Sequence, residues 1–245
     1  RERKLVELAV SRAGAALAAV ECPELLADRA LVLKAACTDP RALSFASPLL
    51  RDSRDVVLAA VSNHSEAIAH AAPRLQTDRS VVLAAVRQDQ SHFVRAPSEL
   101  RQSWGFVLEC LVRNGLVLQY LEPPFNRDPQ LLSAAVTSRC SALQFVPPDL
   151  RGTPSLVLRA VKGDHNLLGL APMALRGSRP FMLLAVASNP LTLALAWPEL
   201  RADPEVALSA ARGNASAVSH ADPRLLRDRD FAKRLVGLAP QAFEF

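Results

Sequence analysis

The chain has 245 residues, half of them apolar and 22% charged, with a formal net charge of +5. That apolar content is too high for a disordered chain, and the length is ample for a large core. No apolar run reaches the ~18–20 residues that a membrane helix needs, so a soluble fold without membrane insertion is expected.

The first predicted elements fall in 1–21. Leu5-Val6-Glu7-Leu8-Ala9-Val10 reads as a helix and Ala16-Leu17 opens a second, together a degenerate first repeat. From residue 22 the chain matches itself at a shift of 25: residues 56–61 read VVLAAV, and so do residues 81–86. Prolines recur at Pro23, Pro48, Pro73, Pro123, Pro148, Pro198 and Pro223, with Pro97 and Pro172 one position early. Five residues beyond the proline register stand Asp28, Ser53, Asp78, Ser103, Asp128, Thr153, Ser178, Asp203 and Asp228. All nine are residue types that cap helix N-termini, and Pro129, Pro154 and Pro204 follow at the first helical position.

Each cap predicts a helix, over 29–38 in the first clear repeat. Its positions 31, 32, 33, 35 and 36 are apolar, and 30, 34 and 37 vary along one narrow stripe. A second short helix is predicted over 40–47, with apolar positions 42, 43 and 46. A β-strand is the alternative for VVLAAV, on its β-branched residues, but the cap column and helical spacing outweigh it. A helix pair of this size cannot bury its own apolar face, so stacking must supply the core. The expected fold is an all-α solenoid of nine to ten 25-residue repeats, each a pair of short antiparallel helices with a proline loop. It is read as one domain over 1–245, with nine repeats in 22–245 and the last truncated.

The phrase Leu50-Arg51-Asp52-x-x-Asp55-Val56-Val57-Leu58-Ala59-Ala60-Val61, closing with Ala71-x-Pro73-x-Leu75, resembles the repeats of the domain-of-unknown-function family 4116. The resemblance extends along nearly the whole chain. It is weaker at Trp104-Gly105-Phe106-Val107-Leu108-Glu109-Cys110-Leu111 and at Arg234-Leu235-Val236. It implies a helical repeat protein, in a family that occurs widely in protists and algae and has no established activity or catalytic residue.

Catalytic signatures are missing from the sequence: it has no HExxH, GxSxG or phosphate-binding loop. Five histidines, His64, His70, His92, His165 and His220, read as polar surface or partly buried residues. Cys22, Cys37, Cys110 and Cys140 have no metal-like spacing and read as free structural thiols of an intracellular, reducing compartment. No enzymatic activity, cofactor or metal is expected.

Three surfaces could bind. Arg51, Arg101, Arg151, Arg176 and Arg201 form one column before the cap, and Arg29, Arg54, Arg79, Arg179 and Arg229 another just after it. They are a possible anion-contacting edge, the basis of an alternative reading as an RNA-binding helical-repeat protein. Interleaved aspartates and the variable helix stripe, where Lys34, Arg87 and Arg159 face Glu109 and Glu205, argue for self-neutralisation instead. The second surface is a column that changes character between repeats: Phe45, His70, Arg95, Tyr120, Phe145, Leu170, Leu195 and His220. The third is aromatic. Trp104, Phe106, Tyr120 and Phe125 concentrate in one repeat, as core filler or contact patch, and Trp197 replaces the usual small residue before Pro198. Partner contacts are therefore expected at His70, Arg95, Tyr120, Trp197 and His220. Phe243 and Phe245 join them, because the sequence stops inside a normal second helix and the chain is expected to continue or dock there. The expected function is a non-catalytic protein–protein interaction scaffold, a structural or accessory subunit of a larger assembly of proteins.

Overall fold

The computed structural model describes residues 2–238, and the regular elements among them are all helical. The all-α repeat fold read from the sequence is the fold observed. The long helices are α1 (Glu2–Arg12), α2 (Arg29–Ala36), α3 (Arg54–Asn63), α4 (Arg79–Gln88), α5 (Trp104–Arg113), α6 (Pro129–Ser138), α7 (Pro154–Gly163), α8 (Arg179–Ser188), α9 (Pro204–Gly213) and α10 (Arg229–Leu238). The second helix of a repeat is mostly a six-residue 3₁₀ helix, such as Ser65–His70 or Ala215–His220. In most repeats the proline loop is also helical, a single α-turn such as Pro73–Gln76 or Pro198–Arg201. Proline suits the start of that turn because its missing N–H would have had no intrahelical partner.

The cap column is real but divided by chemistry. In Asp78, Oδ1 accepts from the N–H groups of Ser80 and Val81 at 2.9 and 3.1 Å. Asp28, Asp128, Asp203 and Asp228 cap their helices in the same way. Ser53, Ser103, Thr153 and Ser178 hold the same extended backbone, yet their hydroxyls make no capping bond. A carboxylate has two oxygens and a charge that favours the positive helix N-terminus. One oxygen caps and the other takes an arginine: Asp28 Oδ2 from Arg3 at 2.7 Å and Asp203 Oδ2 from Arg179 at 2.6 Å. A single hydroxyl cannot do both. Asp78→Ala is therefore expected to cost roughly 0.5–2 kcal/mol, and Ser53→Ala only a few tenths. Urea midpoints of the two variants compare them directly, and equal losses would contradict the division.

A second cap column went unnoticed in the sequence. The residue between each long helix and its 3₁₀ helix is extended, near φ −140° and ψ 110°, and reverses the chain. Asp89, Asn114, Asp164, Asn189 and Asn214 occupy it, Asp39 stands at the same register ahead of the α-turn Ala42–Phe45, and each accepts from the N–H two residues on. This local side-chain bond is what Asp and Asn supply at turns. Asn114 and Asn189 also donate to Val86 O and Val161 O of the preceding repeat, at 3.2 and 2.9 Å. They thereby satisfy carbonyls that a helix C-terminus leaves free.

By backbone contacts the chain forms two compact units, Arg1–Tyr120 and Leu121–Phe245. In the first, α1 to α5 pack in consecutive order, each on the next. In the second, α6 to α10 do the same, and α7 to α10 share a continuous core from Val157 to Leu235. The buried face is narrower than the apolar pattern suggested. Val56, Val57, Ala60 and Val61 are fully buried in α3, at i, i+1, i+4 and i+5, while Leu58 is half-buried. Contact on one side leaves the opposite stripe of every long helix open, and that stripe carries the candidate site.

Candidate functional site

Side-chain length along the open stripe shapes the surface. At the position of Lys34, Glu109 and Arg159, helices α3 and α4 carry Ala59 and Ala84. Missing side chains there leave a groove of about 570 Å³ over α4. Ser80, Leu83 and Ala84 line it from α4, Ser62 from α3, and Glu109 and Arg113 from α5. Gln88 closes one end, donating to Val61 O at 3.1 Å and accepting from Ser65 N at 3.0 Å.

Three arginines and one carboxylate set the charge. Arg79 donates to Glu109 Oε1 at 2.5 Å, and its guanidinium lies 5.4 Å above the Phe106 ring. Arg113 reaches the other Glu109 oxygen at 3.4 Å. Arg87 is exposed, and among the described residues it has no ion pair. Glu109 thus holds two guanidinium groups in place, and the groove keeps an excess positive charge. Behind it, Cys110 is fully buried, and burial pushes its thiol up to about 12.

The expected site residues are placed differently from one another. His70, Arg95 and Tyr120 end the 3₁₀ helices of three successive repeats, His220 ends that of a later one, and all four are partly or fully exposed. Trp197 is 41% exposed. Its ring lies close over Gly177, where an added Cβ would stand only 3.3 Å away. Phe243 and Phe245 lie outside the described residues. The aromatic cluster splits: Phe106 is core, stacked on Phe93 at 6.3 Å, and Trp104 is exposed.

The arginine edge is not a row of free cations. Arg101 and Arg151 fold back to donate to Ala96 O and Val146 O at 3.1 and 2.7 Å. Gln76 spends its amide on Ala71 O in the same way. Arg51, Arg176 and Arg201 have a buried Nε without a protein acceptor. The other column is paired between repeats: Arg29 with Asp55, Arg54 with Asp78, Arg79 with Glu109 and Arg179 with Asp203. Asp203 feels burial, which raises its pKa, but the bonds from Arg179 and two backbone N–H groups win and lower it. His92, expected as a polar surface or partly buried residue, is almost fully buried in the first unit.

No curated protein and no solved structure matches the chain. Three overlapping or adjoining matches to one family profile do, at 28–76, 53–101 and 103–151. Each spans two repeats, opening on a cap residue (Asp28, Ser53, Ser103) and closing on the column of Gln76, Arg101 and Arg151. The family's own unit thus runs from helix cap to the side chain that folds back on the carbonyls of the 3₁₀ turn. The matches together cover half of the chain, which belongs to the family described as Domain of unknown function (DUF4116).

Proposed function

We propose that this chain is a non-catalytic protein-binding module, a scaffold or accessory subunit of a larger assembly. The pairing of its arginines carries the reading. A surface for single-stranded nucleic acid needs free cations along a track and aromatic faces for the bases. Here four arginines of the column after the cap are paired with carboxylates of the next repeat, and in the column before it Arg101 and Arg151 are spent on backbone carbonyls while Arg51, Arg176 and Arg201 bury their Nε. Many of the aspartates that a catalytic reading would need are likewise committed as helix caps, among them Asp28, Asp78, Asp128, Asp203 and Asp228. Repeats instead offer consecutive exposed stripes that differ from layer to layer, the kind of surface helical arrays use to match a protein.

RNA binding is the second reading, favoured by the net charge of +5. Titration against labelled single-stranded RNA at physiological salt, beside affinity capture with mass spectrometry from native cells, decides between them. A saturable protein partner and only weak RNA retention are expected. Tight RNA binding with a steep salt slope would reverse the order. In either reading no helix among the described residues is long and apolar enough to cross a membrane.

A further inference from the structure

We infer that the groove over α4 binds a short acidic segment of a partner protein, seating one or two carboxylates against Arg87, Arg79 and Arg113. This rests on the protein-binding reading and gives it an address. Charge complementarity is the first argument. Three guanidinium groups face one carboxylate, Glu109. Arg79 and Arg113 are held by Glu109, and Arg79 also by the Phe106 ring beneath it. Each keeps N–H groups that Glu109 does not use. Planar guanidinium forks held in place are suited to carboxylates, and less rotamer freedom is lost when they bind.

The lining decides which anion. No aromatic side chain lines the groove, and Phe106 is 0% exposed beneath Arg79, so bases find no aromatic face to stack on. Glu109 stands in the same groove and repels a doubly charged phosphate more than a carboxylate. A volume of about 570 Å³ matches a few side chains rather than a folded surface. Leu83 and Ala84 on the floor accept the methylene stems of such a segment.

The test uses the full chain and a fluorescent peptide alternating glutamate and alanine. A glutamine-for-glutamate peptide, the same peptide with phosphoserine for glutamate, and labelled oligouridine serve as the other arms. Saturable binding of the glutamate peptide is expected, weakening as salt screens it. Arg87→Glu should weaken it about tenfold or more, and Arg87→Gln by less. Arg87 is exposed and, among the described residues, without an ion pair, so both variants should keep the thermal midpoint of the parent. Equal affinity in either variant, equal binding of the glutamine peptide, or preference for the phosphoserine peptide overturns the inference. The two levels fail separately. If Arg87→Glu still captures every native protein partner, the groove is wrong and the binding module stands. If oligouridine binds and no protein is captured saturably, both fall.

Discussion

Phe106→Ala is expected to destabilise the first unit by about 3–5 kcal/mol, the usual cost of emptying a buried phenylalanine site. The residue is 0% exposed, at the column where other repeats carry Val56, Val81 and Leu131. Its ring is nearly parallel to Phe93, 18° apart and 6.3 Å between centroids, an aromatic contact worth about 0.5–1.5 kcal/mol beyond burial. It also lies under the Arg79 guanidinium. Collapse into the cavity is restricted because Val107, Cys110 and Leu111 around it are themselves fully buried. Phe106→Leu places a residue the column already uses, so a loss on the order of 1 kcal/mol is expected. Urea unfolding followed by circular dichroism measures both. A loss below about 1 kcal/mol for the alanine variant would show that Phe106 is replaceable filler. The leucine variant has a second use. It keeps the core but removes the ring from Arg79, so its effect on groove affinity reports how far that ring positions the guanidinium.

What was legible in the sequence and what was not follows from how each feature is encoded. The period, the long helices and the cap column at Asp28 and Asp78 are local: they depend on residues a few positions apart, and repetition averages out the noise. The second cap column was equally local, with Asp or Asn at six of its positions, and could have been found by the same 25-residue alignment. The fold-back of Arg101 and Arg151 was beyond reach, because an arginine column looks the same whether its guanidinium points to solvent or to a carbonyl five residues earlier. The groove was illegible for another reason. Arg79 meets Glu109 across 30 positions, Arg54 meets Asp78 across 24 and Arg74 meets Asp52 across 22. Those separations depart from 25 because side chains of different lengths reach across neighbouring layers, a geometry that column alignment does not contain. Arg87 and Glu109 stand together on the variable stripe of the long helices, whereas Arg79 belongs to the column after the cap. Arg113 falls in none of the columns that the repeat pattern singles out.

His92→Leu is expected to stabilise the protein by about 1–3 kcal/mol, the penalty of burying polar atoms without partners, and to remove a sensitivity to acid. His92 is 4% exposed in the 3₁₀ helix Gln90–Arg95, and neither ring nitrogen has a protein hydrogen-bond partner. Other repeats fill the same column with Ala67, Val117, Ala142 and Leu167, so leucine fits the pattern. Burial is the main cause that lowers the imidazole pKa from its ordinary value, and Arg95 adds to it. Asp89 and Glu66 oppose the shift without cancelling it. The folded chain therefore keeps His92 neutral at a pH where the unfolded chain has already taken up a proton. Above an unfolded-state pKa of about 6.5 both states are neutral at this residue, and it contributes no pH dependence. As pH falls below that value the unfolded state binds the extra proton, and stability drops until the folded pKa is passed. Unfolding free energies of parent and variant, measured by urea titration between pH 7.5 and pH 5, should diverge as the solution is acidified. The gap present at neutral pH reports the unpartnered ring, and its growth in acid reports the titration. A constant gap would mean that the charged His92 ring finds a hydrogen-bond acceptor for its N–H groups. A less stable variant would mean that the ring's packing outweighs its missing partners.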